Sequence, residues 1–232
     1  MMDSIMSGVT RFRCEVFPNQ QQLYQRLVRE GQQPQALVIS CADSRVAPEL
    51  ITQSGPGDLF VTRNVGNIVP PFSQANGGVS SAIEYAVDAL KVRDIVVCGH
   101  SDCGAMKALL SPGSLDSMPN VTAWLRHSHA ARQVIESAYP ADLDPDQKAA
   151  ALAQENVLFQ INHLRSHPSV AAALARGELT LHGWFFDLTS GDILALDGDS
   201  GFRRVATGQP LPVAVRPAER RVANTFFLHA AE

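Results

Sequence analysis

The chain has 232 residues, 45% of them hydrophobic and 18% charged, and a formal net charge of −4. That length allows one large domain or two small ones around a sizeable core, and that composition is ordinary for a soluble globular protein. The acidic balance without a dense basic run argues against nucleic acid as a main partner, and no apolar run approaches the length of a membrane span.

In chain order, residues from about 9 to 30 read as a helical arm. Phe12, Val16, Leu23, Leu27 and Val28 form a loose apolar stripe, with a break expected at Pro18 and an end at Gly31 to Pro34. A strand follows at 36–41, and a second at 59–62 after the Gly55-Pro56-Gly57 turn. Gly77-Gly78 opens a helix over about 79–90, where Ile83, Val87 and Leu90 share a face; the third strand is 94–99, and a short helix begins near Cys103. Val121, Trp124, Leu125, Val134, Ile135 and Ala138 make one apolar helical face. Asp144 has the signature of an N-cap, with Pro145 at the first helical position and Gln147 three residues on, and its helix is expected to reach about His167. Pro168 restarts a short helix that ends before Gly177, and Leu181–Leu188 with Ile193–Leu196 read as a hairpin around Ser190-Gly191.

Strands alternating with helices predict a single α/β domain whose mainly parallel sheet is covered by helices on both faces. The expected organisation is a helical arm over 1–34, an α/β domain over 35–206, and an extension over 207–232 to which no element is assigned.

The chemistry concentrates at two strand ends. Ala36-Leu37-Val38-Ile39 leads into Cys41-Ala42-Asp43-Ser44-Arg45, and Ile95-Val96-Val97-Cys98-Gly99 leads into His100-Ser101-Asp102-Cys103-Gly104. If these runs are neighbouring parallel strands, Cys41, His100 and Cys103 meet at the carboxyl edge of one sheet, where open α/β folds place their sites. Thiolate and imidazole donors favour zinc over magnesium or calcium. A structural zinc site would be closed by a fourth Cys or His, and none lies nearby, so the reading is a catalytic centre with Asp43 and Arg45 beside it. Cys98 inside its strand and Cys14 on the arm read as small buried core hydrophobes, and His127, His129, His163 and His167 as helix-packing or surface residues. Four cysteines do not make a disulfide framework in a chain this long, and Met1 to Arg13 has no signal-peptide core, so a reducing cytoplasm is expected.

On these residues the chain resembles the β-class carbonic anhydrases, in particular plant-type and cyanate-operon-associated bacterial members. The matching segments are Cys41-Ala42-Asp43-Ser44-Arg45-Val46, Pro56 to Val61, Arg63-Asn64-Val65-Gly66-Asn67, Ile83 to Val87, Gly99 to Gly104, and Leu181-His182-Gly183-Trp184. The resemblance implies reversible hydration of carbon dioxide to bicarbonate and a proton, with one zinc ion per chain on Cys41, His100 and Cys103. It also implies an Asp43–Arg45 dyad, a substrate wall of Phe60, Val65 and Tyr85, and a backbone N–H of Gly104 near the metal. Gln32 matches a glutamine that reaches the neighbouring subunit's site, which implies a dimer or a multiple of dimers with the arm laid over the partner. Val38, Ser40 and Phe186 replace the tryptophan, glycine and tyrosine of a second, inhibitory bicarbonate pocket found in some bacterial members. Ala89 stands where plant members carry a histidine proposed to export protons.

Two other readings compete. A non-catalytic zinc protein would need the three ligands but not Asp43, Arg45, Gln32 and the apolar wall together. A carbon disulfide or carbonyl sulfide hydrolase on the same scaffold would keep them all. A dinucleotide-binding protein is disfavoured because the first loop is Cys-Ala-Asp-Ser-Arg rather than glycine-rich.

Overall fold

Two of the sequence's apolar runs become the neighbouring parallel strands that carry the ligand loops. The computed structural model describes residues 2–73, 77–198, 201–205 and 214. Six strands form one sheet: β1 (Ala36–Cys41), β2 (Leu59–Asn64), β3 (Asp94–His100), β4 (Thr180–Phe186), β5 (Ile193–Leu196) and β6 (Phe202–Arg204). Their order is β2-β1-β3-β4-β5-β6; the first four are parallel, and β5 and β6 continue antiparallel. Ser40 pairs with Cys98, so β1 and β3 end level and deliver Cys41 and His100 to the same edge.

The arm begins earlier than expected and does not break at Pro18. Helix α1 (Met2–Arg11) passes through a wide π turn (Phe12–Val16) into α2 (Phe17–Glu30). Pro18 falls in the first turn of α2, where its missing N–H costs no helical hydrogen bond, and the Phe17 N–H reaches back five residues to Phe12. None of these 29 residues is buried, so Cys14 is exposed rather than the core residue expected, because the arm has no core of its own; Met2, Ile5, Met6 and Val9 extend the exposed stripe of Phe12 and Val16.

The remaining helices are α3 (Pro48–Thr52), α4 (Gly78–Glu84) running into a π turn (Tyr85–Ala89), α5 (Gly104–Leu110), α6 (Pro119–Leu125), α7 (His129–Ala138), α8 (Pro145–Leu164) and α9 (Pro168–Ala175). Asp144 caps α8 as expected, accepting from the N–H groups of Asp146 and Gln147. That helix stops at Leu164 rather than His167, because His167 is extended and serves as the N-cap of α9. β2 runs two residues past its expected end, and β4 ends at Phe186 rather than Leu188.

Helices flank the sheet, but not evenly. Leu37, Ile39, Ile95, Val97 and Leu181 pack with Ile83 and Val87, with Val157 and Ile161 of α8, and with Val170 of α9. A second cluster joins Cys41 and Cys103 to Met106, Leu125, Ile135, Leu152 and Phe185. Among the described residues, the opposite face carries a cluster of strand residues: Val38, Val96 and Cys98, with Leu59, Val61, Trp184 and Phe186. The cause is topological. Right-handed connections put the β1–β2 crossover on one face and the β2–β3 and β3–β4 crossovers on the other, and the first contains only the five-residue α3.

Glycines let α8 lie close on the sheet. A Cβ at Gly99 would sit 2.8 Å from Val157 Cγ2 and 3.2 Å from the Ala153 carbonyl oxygen. Val157 is stiff and the carbonyl is helical backbone, so neither yields easily. Gly99→Ala should therefore cost about 1–3 kcal/mol, read as a lower urea midpoint at unchanged slope.

Candidate active site

The ligand atoms of Cys41, His100 and Cys103 lie within 4.8 Å of one another, and all three residues are buried. Cys41 ends β1, His100 ends β3, and Cys103 sits at the N-cap of α5 after a turn in which Asp102 has φ 55°. Aspartate tolerates that left-handed geometry, which bends the chain enough to bring Cys103 back beside His100. His100 Nδ1 donates to the Ser101 carbonyl at 2.8 Å, which leaves the Nε2 lone pair facing the two sulfurs. Nε2 is buried and has no hydrogen-bond partner among the described residues.

Without a cation the two thiols share their charge. The Cys41 thiol is held well below the usual thiol range by a hydrogen bond from Cys103, with further help from the Asp43 and Gly66 N–H groups against the penalty of burial. Cys103 moves well above the usual thiol range, because it donates that bond, is buried and faces the Cys41 charge. An orphaned buried imidazole nitrogen beside two sulfurs, one kept protonated by its neighbour, is a donor set that fits a thiophilic divalent metal.

Asp43 stands next to this triangle, its Oδ2 4.0 Å from His100 Nε2. Arg45 grips both carboxylate oxygens: Nε donates to Oδ1 at 2.9 Å and Nη2 to Oδ2 at 2.8 Å, while the Arg45 backbone N–H adds a 2.9 Å bond to Oδ1. This fork, above all the side-chain bonds, holds the Asp43 carboxyl well below the usual carboxylate range. Asp43 is thus an ionised acceptor aimed beside the metal position.

Further residues brace the site. Arg63 donates to the Cys41 carbonyl at 3.0 Å and the Asp43 carbonyl at 2.6 Å, fixing the loop after β1. Asn156 of α8 donates to the Gly66 carbonyl at 3.0 Å, Gln160 accepts from the Val69 N–H at 2.8 Å, and Trp124 Nε1 donates to the Val65 carbonyl at 2.9 Å. Arg63 and Asn64 stood in a recognised segment, but nothing in the sequence marked Asn156 or Gln160, whose polar side chains read as a solvent face. His163 and His167 bond the Val69 and Pro70 carbonyls and are packing residues, as expected.

The other expected site residues divide into two groups. Val65 follows β2 directly, at the level of Cys41, and is 41% exposed; Gly104 opens α5 next to Cys103, with open space where a Cβ would be. Phe60 and Tyr85 contact each other, ring centroids 5.9 Å apart, but Phe60 pairs with Leu37. That is four ladder steps short of the Cys41–Asn64 pair, about 13 Å along the strand. Gln32 lines a hollow with Arg93 and Asp94 at the amino edge of the sheet, about 20 Å from Cys41. Within one chain, then, Gln32, Phe60 and Tyr85 do not converge on the three ligands.

The comparisons with known proteins agree with this architecture. The family model described as carbonic anhydrase matches residues 36–193. A carbonic anhydrase of Pseudomonas aeruginosa is 51% identical over 86% of this chain and 89% of its own length. Carbonic anhydrase 1 of Escherichia coli O157:H7 is 49% identical over 93% and 94%. Among solved structures, the β-carbonic anhydrase CcaA superposes with a TM-score of 0.86 at 42% identity, covering 93% of this chain and 96% of that one. One of two β-carbonic anhydrases of Sordaria macrospora, described as tetrameric, gives 0.75 at 32% identity over 88% and 98%. The chain belongs to the carbonic anhydrase family, in its β class, and is an enzyme of that kind.

The charge state of the sulfur pair sets how metal should bind. The hydrogen bond between the two thiols pulls Cys41 toward the thiolate and holds Cys103 toward the thiol, so the pair must release a proton for both sulfurs to become ligands. Metal affinity should accordingly rise with pH between 6 and 8 and fall on acidification. About one proton should leave per ion bound, measured by calorimetry in buffers of different ionisation enthalpy.

Proposed function

We propose that the protein catalyses reversible hydration of carbon dioxide to bicarbonate and a proton, with one zinc ion held by Cys41, His100 and Cys103. The observation that carries this reading is the buried sulfur–nitrogen–sulfur triangle with an ionised Asp43 held beside it by Arg45. Zinc in that position would supply a hydroxide nucleophile near neutral pH, less strongly than on a three-histidine site because two thiolates cancel its charge.

The chain's own groups do the rest. Asp43 accepts a hydrogen bond from the nucleophile and so fixes the direction of its lone pair. Arg45 keeps that carboxylate ionised and turned from the metal, since the fork occupies both oxygens. Val65 offers an apolar surface at the mouth and Gly104 a backbone donor beside Cys103. Gln32, Phe60 and Tyr85 serve a second copy's site, where the Gln32 amide donates to a substrate oxygen as negative charge develops there. Their distance from the ligands of their own chain supports that assignment. The active unit is therefore a dimer or a multiple of dimers. Free cysteines, two of them ligands, suit a reducing cytoplasm, and no described helix is long and apolar enough to cross a membrane.

Cys41→Ser should lose most bound zinc and nearly all carbon dioxide hydration, because the triangle has no spare donor. Cys98→Ser should keep both, since its thiol is buried within β3 and pushed up to about 12 by burial and the Cys41 charge. Metal analysis and stopped-flow hydration decide this, and full zinc with normal turnover in Cys41→Ser would overturn the ligand assignment.

Shared sites can be tested by mixing. Gln32→Ala chains keep the ligands but donate no glutamine; Cys41→Ser chains donate it but hold no metal. Random reassociation should restore roughly a quarter of the wild-type sites, so the mixture should exceed the mean of its parents. No gain after demonstrated subunit exchange would assign Gln32 no role across subunits.

A further inference from the structure

The Asp43–Arg45 pair is not isolated. Arg45 Nη1 donates to Asp102 Oδ2 at 2.6 Å, and Nη2 also reaches the Asp102 backbone carbonyl at 3.1 Å. The other carboxylate oxygen of Asp102 pairs with Lys107 Nζ at 2.6 Å, and Lys107 in turn pairs with Asp146 Oδ1, in the first turn of α8, at 2.8 Å. A continuous charge row thus runs Asp43, Arg45, Asp102, Lys107, Asp146. Asp102 lies inside the loop that carries His100 and Cys103, so this row ties the ligand loop of β3 to the dyad after β1.

A guanidinium that gripped Asp43 alone would be held from one side only, because its side chain is 48% exposed and Asp102 is the one described partner of Nη1. With Asp102 present, four donor contacts fix its plane from two sides. We propose, resting on the carbonic anhydrase reading, that Asp102 is a positioning residue: it anchors Arg45 so that the fork keeps the Asp43 carboxylate off the metal and leaves the fourth coordination position open to exogenous ligands. Half-exposed ion pairs of this kind add little to folding stability, so the function of the row is orientation.

The left-handed backbone at Asp102 determines the variants. Asp102→Gly keeps that conformation and removes the carboxylate; Asp102→Asn keeps the conformation and one acceptor oxygen. The probe is azide binding to the cobalt(II)-substituted enzyme, followed by visible absorption, which reads access to the metal separately from turnover. With Arg45 loosened, Asp43 competes for the metal. Azide affinity should fall about tenfold in Asp102→Gly, and less than threefold in Asp102→Asn, with cobalt content and melting temperature unchanged. In an Arg45→Ala background, Asp102→Gly should have no further effect, because the residue acts through that guanidinium.

Unchanged azide affinity in Asp102→Gly would overturn the assignment, as would an equal loss in the Arg45→Ala background. Loss of cobalt from Asp102→Gly would place Asp102 in holding the ligand loop instead, and also overturns it. The underlying reading is judged on the wild type alone: if that protein binds one metal ion and hydrates carbon dioxide, a negative result with the variants rejects only the role of Asp102.

Discussion

Two thiols and an imidazole nitrogen buried within 4.8 Å of one another cannot all present lone pairs inward unless a cation joins them. Much of the structure serves to assemble that otherwise unfavourable group. The level ends of β1 and β3 supply Cys41 and His100, and the left-handed turn at Asp102 returns Cys103 to them. The Ser101 carbonyl fixes the imidazole tautomer. Hydrophobic packing then closes over the sulfurs, with Met106, Leu125 and Leu152 in the same cluster as both cysteines. Burial raises the cost of the uncompensated charge and so sharpens the demand for a metal.

Electrostatics outside the triangle run the other way, through exposed groups. Arg45, Asp102, Lys107 and Asp146 are solvent-accessible, and such pairs are screened and contribute little stability. Their common feature is geometry. Each charge faces an opposite one on a different element, which fixes the guanidinium plane and hence the Asp43 carboxylate. The site therefore combines a dry centre that attracts metal with a wet rim that orients a carboxylate. Arg63, bonded to the backbone of the loop between them, keeps the two in register.

The ligand set, the dyad, the parallel strands and the Asp144 cap were legible in the sequence because each rests on local spacing or on a short apolar run. What escaped has nonlocal causes. Asn156 and Gln160 look like a polar helix face, yet both are fully buried, because their partners are backbone groups of residues 66 and 69 some 90 positions away. Asp102 received no role from the sequence, because its link to Arg45 spans 57 positions. The short β6 carries too little pattern to register, and the wide turn at Phe12–Val16 let the helix absorb a proline that reads as a stop. The uneven distribution of helices follows from strand order, which no single segment encodes.

The same unevenness bears on how chains associate. Val38, Val96 and Cys98 form a buried apolar sheet face with no described helix in its cluster, and on that face Ser40 Oγ and Trp184 Nε1 are buried with no hydrogen-bond partner among the described residues. The helical arm has the complementary defect: 29 residues, an apolar stripe and nothing buried. An exposed arm with an apolar stripe is satisfied if it lies over a second copy in a closed two-fold pair. Gln32 sits at the hinge between arm and sheet. A pairing that lays the arm across the second copy would carry Gln32 toward the partner, which gives one physical origin to the exposed stripe and to the distance of Gln32 from Cys41 of its own chain.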